Sequence, residues 1–153
     1  MTLHIGDTAP EFTLPTDEEN KEVTLSKLRG KKIVLYFYPK DNTPGCTKEA
    51  CDFRDNFAQF SQQGIEVFGI SKDSSKAHKK FKDKYALPFT LLVDAHADVC
   101  EAYDVVDKKS MFGKTFLGIT RSTFLIDEKG IICAIWRKVK VPGHVEQVLH
   151  ASK

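Results

Sequence analysis

At 153 residues the chain has the length of one domain with a core of its own, and 41% hydrophobic residues, eleven of them Phe, supply the bulk for it. Lys and Arg (23) nearly balance Asp and Glu (21), and a net charge of +2 gives no pull on nucleic acid or on a membrane surface. No apolar run is long enough to cross a bilayer, no secretory pattern opens the chain, and four unevenly spaced cysteines do not make an extracellular disulfide framework, so a soluble, cytoplasmic protein is expected.

In chain order, residues 12–14 and 22–25 predict an edge hairpin around the acidic turn at 16–20, and residues 26–28 predict one helical turn closed by Gly30. Residues 33–38 form an apolar, β-branched and aromatic run that predicts a buried strand. Two prolines and a glycine then turn the chain. Thr43 offers an N-cap and Pro44 suits the first helical position. Ala50, Phe53, Phe57 and Phe60 recur at helical spacing, so one helix is predicted from Thr43 to Gln63, with Gly64 as its stop. Cys46 falls in its first turn, where unpaired N–H groups and the positive end of the helix dipole favour a thiolate. Cys51 lies five residues on. The stretch reads as a redox site at a strand-to-helix turn.

Residues 65–70 predict a second strand, parallel to the first. A helix capped within residues 71–75 follows, with Lys76, Lys79, Lys80, Lys82 and Lys84 on a solvated face and Ala77, Phe81 and Tyr85 turned inward. Residues 89–93 predict a strand, 97–103 a short helix, and 108–118 an irregular stretch whose Met111-Phe112 pair either lines a surface or, for the Phe, folds under its own loop. Residues 122–126 and 131–136 predict a hairpin around Asp127-Glu128-Lys129-Gly130, and residues 142–150 a closing helix. A βαβ half followed by a ββα half, with an α/β insertion between them, predicts one α/β domain over 1–153. Its arrangement is that of a thioredoxin-like fold, with a central mixed sheet flanked by helices and an N-terminal β-hairpin.

Two separated motifs carry a family resemblance. Pro39-x-x-x-Thr43-x-x-Cys46 is similar to the peroxidatic-site motif of peroxiredoxins, and Arg121, opening Arg121-Ser122-Thr123-Phe124-Leu125-Ile126-Asp127, resembles the arginine that completes that site. The run from Phe37 to Thr47, with Cys51 downstream, resembles the bacterioferritin comigratory protein (peroxiredoxin Q) subgroup. The resemblance implies a thioredoxin fold, thiol-dependent reduction of hydrogen peroxide and organic hydroperoxides, and recycling by thioredoxin or a similar dithiol donor. It implies no metal, haem or flavin, and it favours a monomer with weak dimerisation left open.

On that reading Cys46 attacks a peroxide oxygen and becomes a sulfenic acid, and Cys51 condenses with it to a disulfide. Arg121 favours the thiolate and orients the peroxide. Thr43 offers a hydroxyl, Pro44 opens the helix start at the substrate site, and the N–H groups of Gly45 and Cys46 receive peroxide oxygen. Pro39 shields the site. Helix geometry adds a constraint. Five residues along an α-helix advance roughly 7.5 Å and turn about 140° past a full rotation, which separates the two Cα atoms by roughly 8.6 Å. A disulfide needs about 6.8 Å or less. Residues 44–53 are therefore expected to unwind when Cys46 is resolved.

Two other functions fit parts of the pattern: a thiol–disulfide oxidoreductase, which ordinarily uses Cys-x-x-Cys, and a redox-sensing interaction module. Cys100 and Cys133 are read as packed, inert thiols, and His4, His78, His96, His144 and His150 as surface residues.

Overall fold

The computed structural model describes residues 2–153. Its centre is a five-stranded mixed sheet of order β5-β4-β3-β8-β9. The middle strand β3 (Lys32–Phe37) is parallel to β4 (Ile65–Ser71), which is parallel to β5 (Thr90–Val93). On its other side β3 is antiparallel to β8 (Ser122–Ile126), which forms a hairpin with β9 (Ile132–Trp136). The expected parallel βαβ unit and the closing ββα unit are both present. Strand β3 has both faces covered, and its side chains alternate between two cores. Ile33, Leu35 and Phe37 pack with Phe12, Leu25, Tyr103 and Phe124, whereas Val34, Tyr36 and Tyr38 pack with Phe53, Phe60, Phe81 and Val148.

The N-terminal hairpin is β1 (Thr13–Pro15) against β2 (Glu22–Thr24), and a 3-10 turn over Leu25–Leu28 follows it. It is tied to the rest of the fold by Asp17, whose carboxylate accepts from Leu91 N at 3.0 Å and from Lys82 Nζ at 3.0 Å. The first helix, expected as one piece, is two: α1 (Pro44–Asp55) and α2 (Phe57–Gln62). Asn56 separates them at φ −106 and ψ 6, its Nδ2 donating to Asp52 O at 2.8 Å, so a short polar side chain competes for the backbone at the join. Next come α3 (Ser75–Tyr85), capped by Ser74 Oγ accepting from Ala77 N, then α4 (Asp98–Ala102) and finally α5 (His144–Ala151).

Residues 108–118 are not irregular. They lie within an antiparallel hairpin of β6 (Val106–Met111) and β7 (Lys114–Ile119). Phe112 and Gly113 form its two-residue turn, with φ of 54° and 76°, the left-handed pair that matches strand twist. A Phe at such a position is uncommon, which hid the turn in the sequence. Of the two placements open for Phe112, the structure takes the exposed one, at 96%, while the side chain of Met111 lies outside the described residues.

Two of the five histidines are not at the surface. His78 is held by Asp41 and by Leu92 O, and His144 Nε2 pairs with Thr123 Oγ1 at 2.8 Å, so both find polar partners inside. Burial, helped by the nearby Arg121 charge, lowers His144 to about 4. Cys100 is packed as expected, and burial followed by Asp94 raises its thiol, whereas Cys133 is exposed and so is not packed.

Behind the active helix lies an aromatic floor. Tyr36 stacks on Phe53 with ring centroids 4.5 Å apart and on Tyr38 at 5.4 Å. It leaves no room across the sheet, because a Cβ at Gly69 would stand 2.9 Å from Leu91 Cδ2 and from Tyr36 Cζ and Oη. Gly69→Ala should therefore lose about 1–3 kcal/mol of stability by overpacking. Urea unfolding checks this, and a midpoint equal to that of the parent protein would contradict the tight fit.

Candidate active site

The end of β3 delivers the chain to Tyr38, and residues 39–43 carry it across to α1. Thr43 occupies the N-cap position with extended backbone, yet its hydroxyl does not cap the helix. Instead Thr43 Oγ1 donates to Lys40 O at 2.8 Å, closing the loop on itself. Thr47 N donates to Thr43 O at 2.8 Å; the amides of Gly45 and Cys46 lie ahead of it, where a helix start provides no acceptor. Cys46, Glu49, Ala50 and Phe53 form the buried stripe of α1 at helical spacing. Pro44 and Gly45 are exposed above it, and Pro39 and Thr43 are half-buried.

Arg121 reaches this turn from the start of β8. Its Nη2 lies 3.4 Å from Cys46 Sγ, and its Nη1 donates to Glu49 Oε1 at 2.7 Å. One guanidinium thus bridges the thiol and a carboxyl, with side-chain exposures of 16% for Arg121 and 0% for Glu49. Gly45 permits the approach, since a Cβ there would stand 3.1 Å from Arg121 Nη2. The sequence motifs named Cys46, Thr43, Gly45 and Arg121, and the fold brings them to one turn.

Glu49 was not anticipated. The signal was present as an acid on the apolar stripe of a helix, one turn after Cys46, where an unpaired carboxylate would be costly. Burial raises its carboxyl to about 7 against the opposing pull of Arg121, and its Oε2 has no hydrogen-bond partner among the described residues. Fold and charge therefore disagree over Glu49. The low dielectric favours the neutral acid, and the guanidinium favours the carboxylate.

Cys51 is half-buried on the same helix, and the cysteines are free thiols. Both cysteines lie inside α1, so the roughly 8.6 Å separation expected from helix geometry applies to this state. Below the site, Asp41, Asp73 and His78 bring potential ligand atoms within 4.8 Å of one another. These atoms are taken up by mutual hydrogen bonds and by Tyr38, Ser71 and the Asp41 amide, so the cluster is already satisfied without an ion.

Residues 5–135 match the AhpC/TSA family. A Bcp relative from Coxiella burnetii is 60% identical over 149 residues, covering 97% of this chain and 98% of its own. Peroxiredoxin Bcp of Bacillus subtilis is 52% identical over 153 residues, covering 100% and 97%. Among solved structures, the bacterioferritin comigratory protein of Xanthomonas campestris superposes with a TM-score of 0.87 at 42% identity, over 92% of this chain and 89% of that one. With a thioredoxin-like peroxiredoxin fold and relatives of this likeness, the chain belongs to the AhpC/TSA family of thiol-dependent peroxidases, as a peroxiredoxin of the bacterioferritin comigratory protein (peroxiredoxin Q) subgroup.

Proposed function

We infer that Cys46 is the peroxidatic thiol of this enzyme and Cys51 its resolving partner. The observation that carries the reading is the guanidinium of Arg121, 3.4 Å from a buried Cys46 sulfur and fixed there by Glu49. The Cys46 thiolate attacks one oxygen of a hydroperoxide and the O–O bond breaks. The departing alkoxide or hydroxide takes up a proton to become alcohol or water, and sulfur is left as sulfenic acid. Arg121 and the amides at Gly45 and Cys46 stabilise charge moving onto oxygen, and Thr43 and Pro39 line the approach. The Cys51 thiol then condenses with the sulfenic acid, expelling water and forming the disulfide.

The Xanthomonas campestris relative was studied for alkyl peroxide reduction, which supports organic hydroperoxides beside hydrogen peroxide as substrates here. Recycling belongs to thioredoxin or a similar dithiol, which exchanges with the Cys46–Cys51 bond. The chain works as one domain over residues 1–153, as a cytoplasmic monomer. The described residues include no helix long and apolar enough to cross a membrane.

Resolution requires α1 to open, because the intact helix holds the cysteines apart. The expected unwinding covers residues 44–53, and Phe53 marks its costly end. That side chain is fully buried on Tyr36, and Arg54 Nη1 donates to Tyr85 O at 2.8 Å. The free energy of the opened state lies within a few kcal/mol of the closed one because every cycle crosses between them.

Cys46→Ser should abolish peroxide consumption, and Cys51→Ser should consume one equivalent and then stall with a sulfenic acid that small thiols or dimedone capture. Thioredoxin-linked turnover by the Cys51→Ser protein at the parent rate would remove Cys51 from the resolving role. Arg121→Lys should slow the second-order reaction with peroxide by about a hundredfold or more, because one ammonium cannot hold both Cys46 and Glu49. Stopped-flow kinetics checks this, and an unchanged rate would take Arg121 out of the chemistry.

Glu49 gives a pH signature. Its folded-state value near 7 lies above the ordinary 4.5, so the stability contributed by the neutral acid is present below pH 4.5 and lost as pH rises towards 7. His144 acts with the opposite slope, losing stability as pH falls from 6.5 towards 4. Glu49→Gln should therefore gain on the parent protein between pH 4.5 and 8, by up to about 3 kcal/mol. Urea unfolding at both pH values measures it. A parent–variant difference that does not change with pH would show that Glu49 does not titrate across this window.

A further inference from the structure

Outside the thiol chemistry, a buried polar network lies under the loop that leads into α1. Asp41 is buried, and three groups converge on it. Tyr38 OH donates to its Oδ1 at 2.5 Å, His78 Nδ1 lies 2.6 Å from its Oδ2, and its backbone amide donates to Asp73 Oδ2 at 2.8 Å. The far nitrogen of His78, Nε2, is 2.8 Å from Leu92 O. A carbonyl only accepts, so Nε2 carries a proton, and a second proton is shared on the line between Nδ1 and Asp41. His78 itself is fully buried.

The network continues past Asp41. Asn42 adopts a left-handed backbone at φ 61, and its side-chain oxygen accepts from Tyr85 OH at 3.2 Å and Lys84 Nζ at 3.3 Å. Thr43 Oγ1 closes back onto Lys40 O. Tyr38, Asp41 and Asn42 are thus held from the β4–α3 side of the molecule, while Lys40 and Thr43 are bonded to each other. From Pro44 onward, the turn bearing Cys46 leans on Arg121 and Glu49 instead.

We propose that Tyr38, Asp41 and His78 are positioning residues that anchor the loop 38–43 through the whole redox cycle, so that the unwinding of α1 begins at the Thr43–Pro44 junction and Cys46 returns to the same place. This rests on the Cys46–Cys51 reading given above. The two ends of the mobile segment are then unequal in chemistry. The front is pinned by a buried hydrogen-bonded acid and imidazole, and the rear by the Phe53–Tyr36 stack and the Arg54–Tyr85 bond. A segment fixed at both ends loses less chain entropy on refolding than one with a free end.

The test uses amide exchange by NMR on the full chain, reduced and after peroxide, with the disulfide confirmed by mass. Thr47, whose amide bonds to Thr43 O, reports the moving side, and Asp41, bonded to Asp73, reports the anchor. Oxidation should cut protection at Thr47 at least a hundredfold and change Asp41 by less than about threefold. Asp41→Ala should still form the disulfide, yet lose tenfold protection at position 41 in the oxidised state and lower kcat about tenfold. Its kcat/KM for peroxide should stay within about threefold, because only the return step is slowed. Asp41→Asn should restore both, since an amide accepts from Tyr38 and donates to His78 Nδ1. Tyr38→Phe is the gentler variant should the alanine protein not fold, with a smaller shift in the same direction.

If Asp41 deprotects with Thr47 in the oxidised parent protein, unwinding runs through the loop and the anchor is overturned while the disulfide reading stands. If Thr47 stays protected with the disulfide confirmed, the unwinding itself is wrong and the anchor falls with it. Parent-like kcat and protection in Asp41→Ala would also overturn the proposal.

Discussion

A half-buried arginine shared between a thiol and a buried carboxyl is the constraint around which this molecule is arranged. Desolvating a guanidinium and an acid costs several kcal/mol per ion unless geometry and hydrogen bonds compensate. Here Arg121 comes from the start of β8 and Glu49 from α1, so the pair also fastens the reactive helix to the sheet. Removing either partner leaves the other buried and uncompensated, which ties the stability of this turn to its chemistry. Gly45 follows from the same demand, since a side chain there would crowd the guanidinium.

That fastening is in tension with the need to open. On the proposed reading, the turn that holds Cys46 must release it before Cys51 can reach it, because both cysteines lie in one continuous helix. The fold resolves the tension by grading its supports. The aromatic floor of Tyr36, Tyr38 and Phe53 is deep and stacked, and the network at Asp41 is hydrogen-bonded. The first two turns of α1 have exposed Pro44 and Gly45 above them and an acid with one orphaned oxygen among their contacts. An unpartnered buried oxygen costs about 1–3 kcal/mol, so releasing Glu49 to solvent on opening recovers part of the cost of breaking its contacts.

Much of this was legible in the sequence because it rests on periodicity and local turn chemistry. The continuous apolar run at residues 33–38, the Pro-Gly break and the Asp127–Gly130 hairpin marked the central strands nearly residue by residue. Cys46 and Arg121 could be paired only through family resemblance, since no local rule joins residues 75 positions apart. Glu49, His78 and His144 were misread or passed over for one reason: polar residues were assumed to face water. Their burial depends on partners from distant elements, Arg121, Asp41 and Thr123, which only the folded chain reveals. The β6–β7 hairpin was missed because Phe112 stands where a turn usually carries Asn or Gly.

The central claim is that one peroxide molecule converts Cys46 and Cys51, and no other cysteine, into a disulfide within one chain. Adding one equivalent of hydrogen peroxide to the reduced protein, blocking the remaining thiols and mapping proteolytic peptides by mass without reduction tests it directly. The account predicts a single Cys46–Cys51 crosslink with Cys100 and Cys133 alkylated. A crosslink from Cys46 to Cys100 or Cys133, or to a second chain, would contradict it.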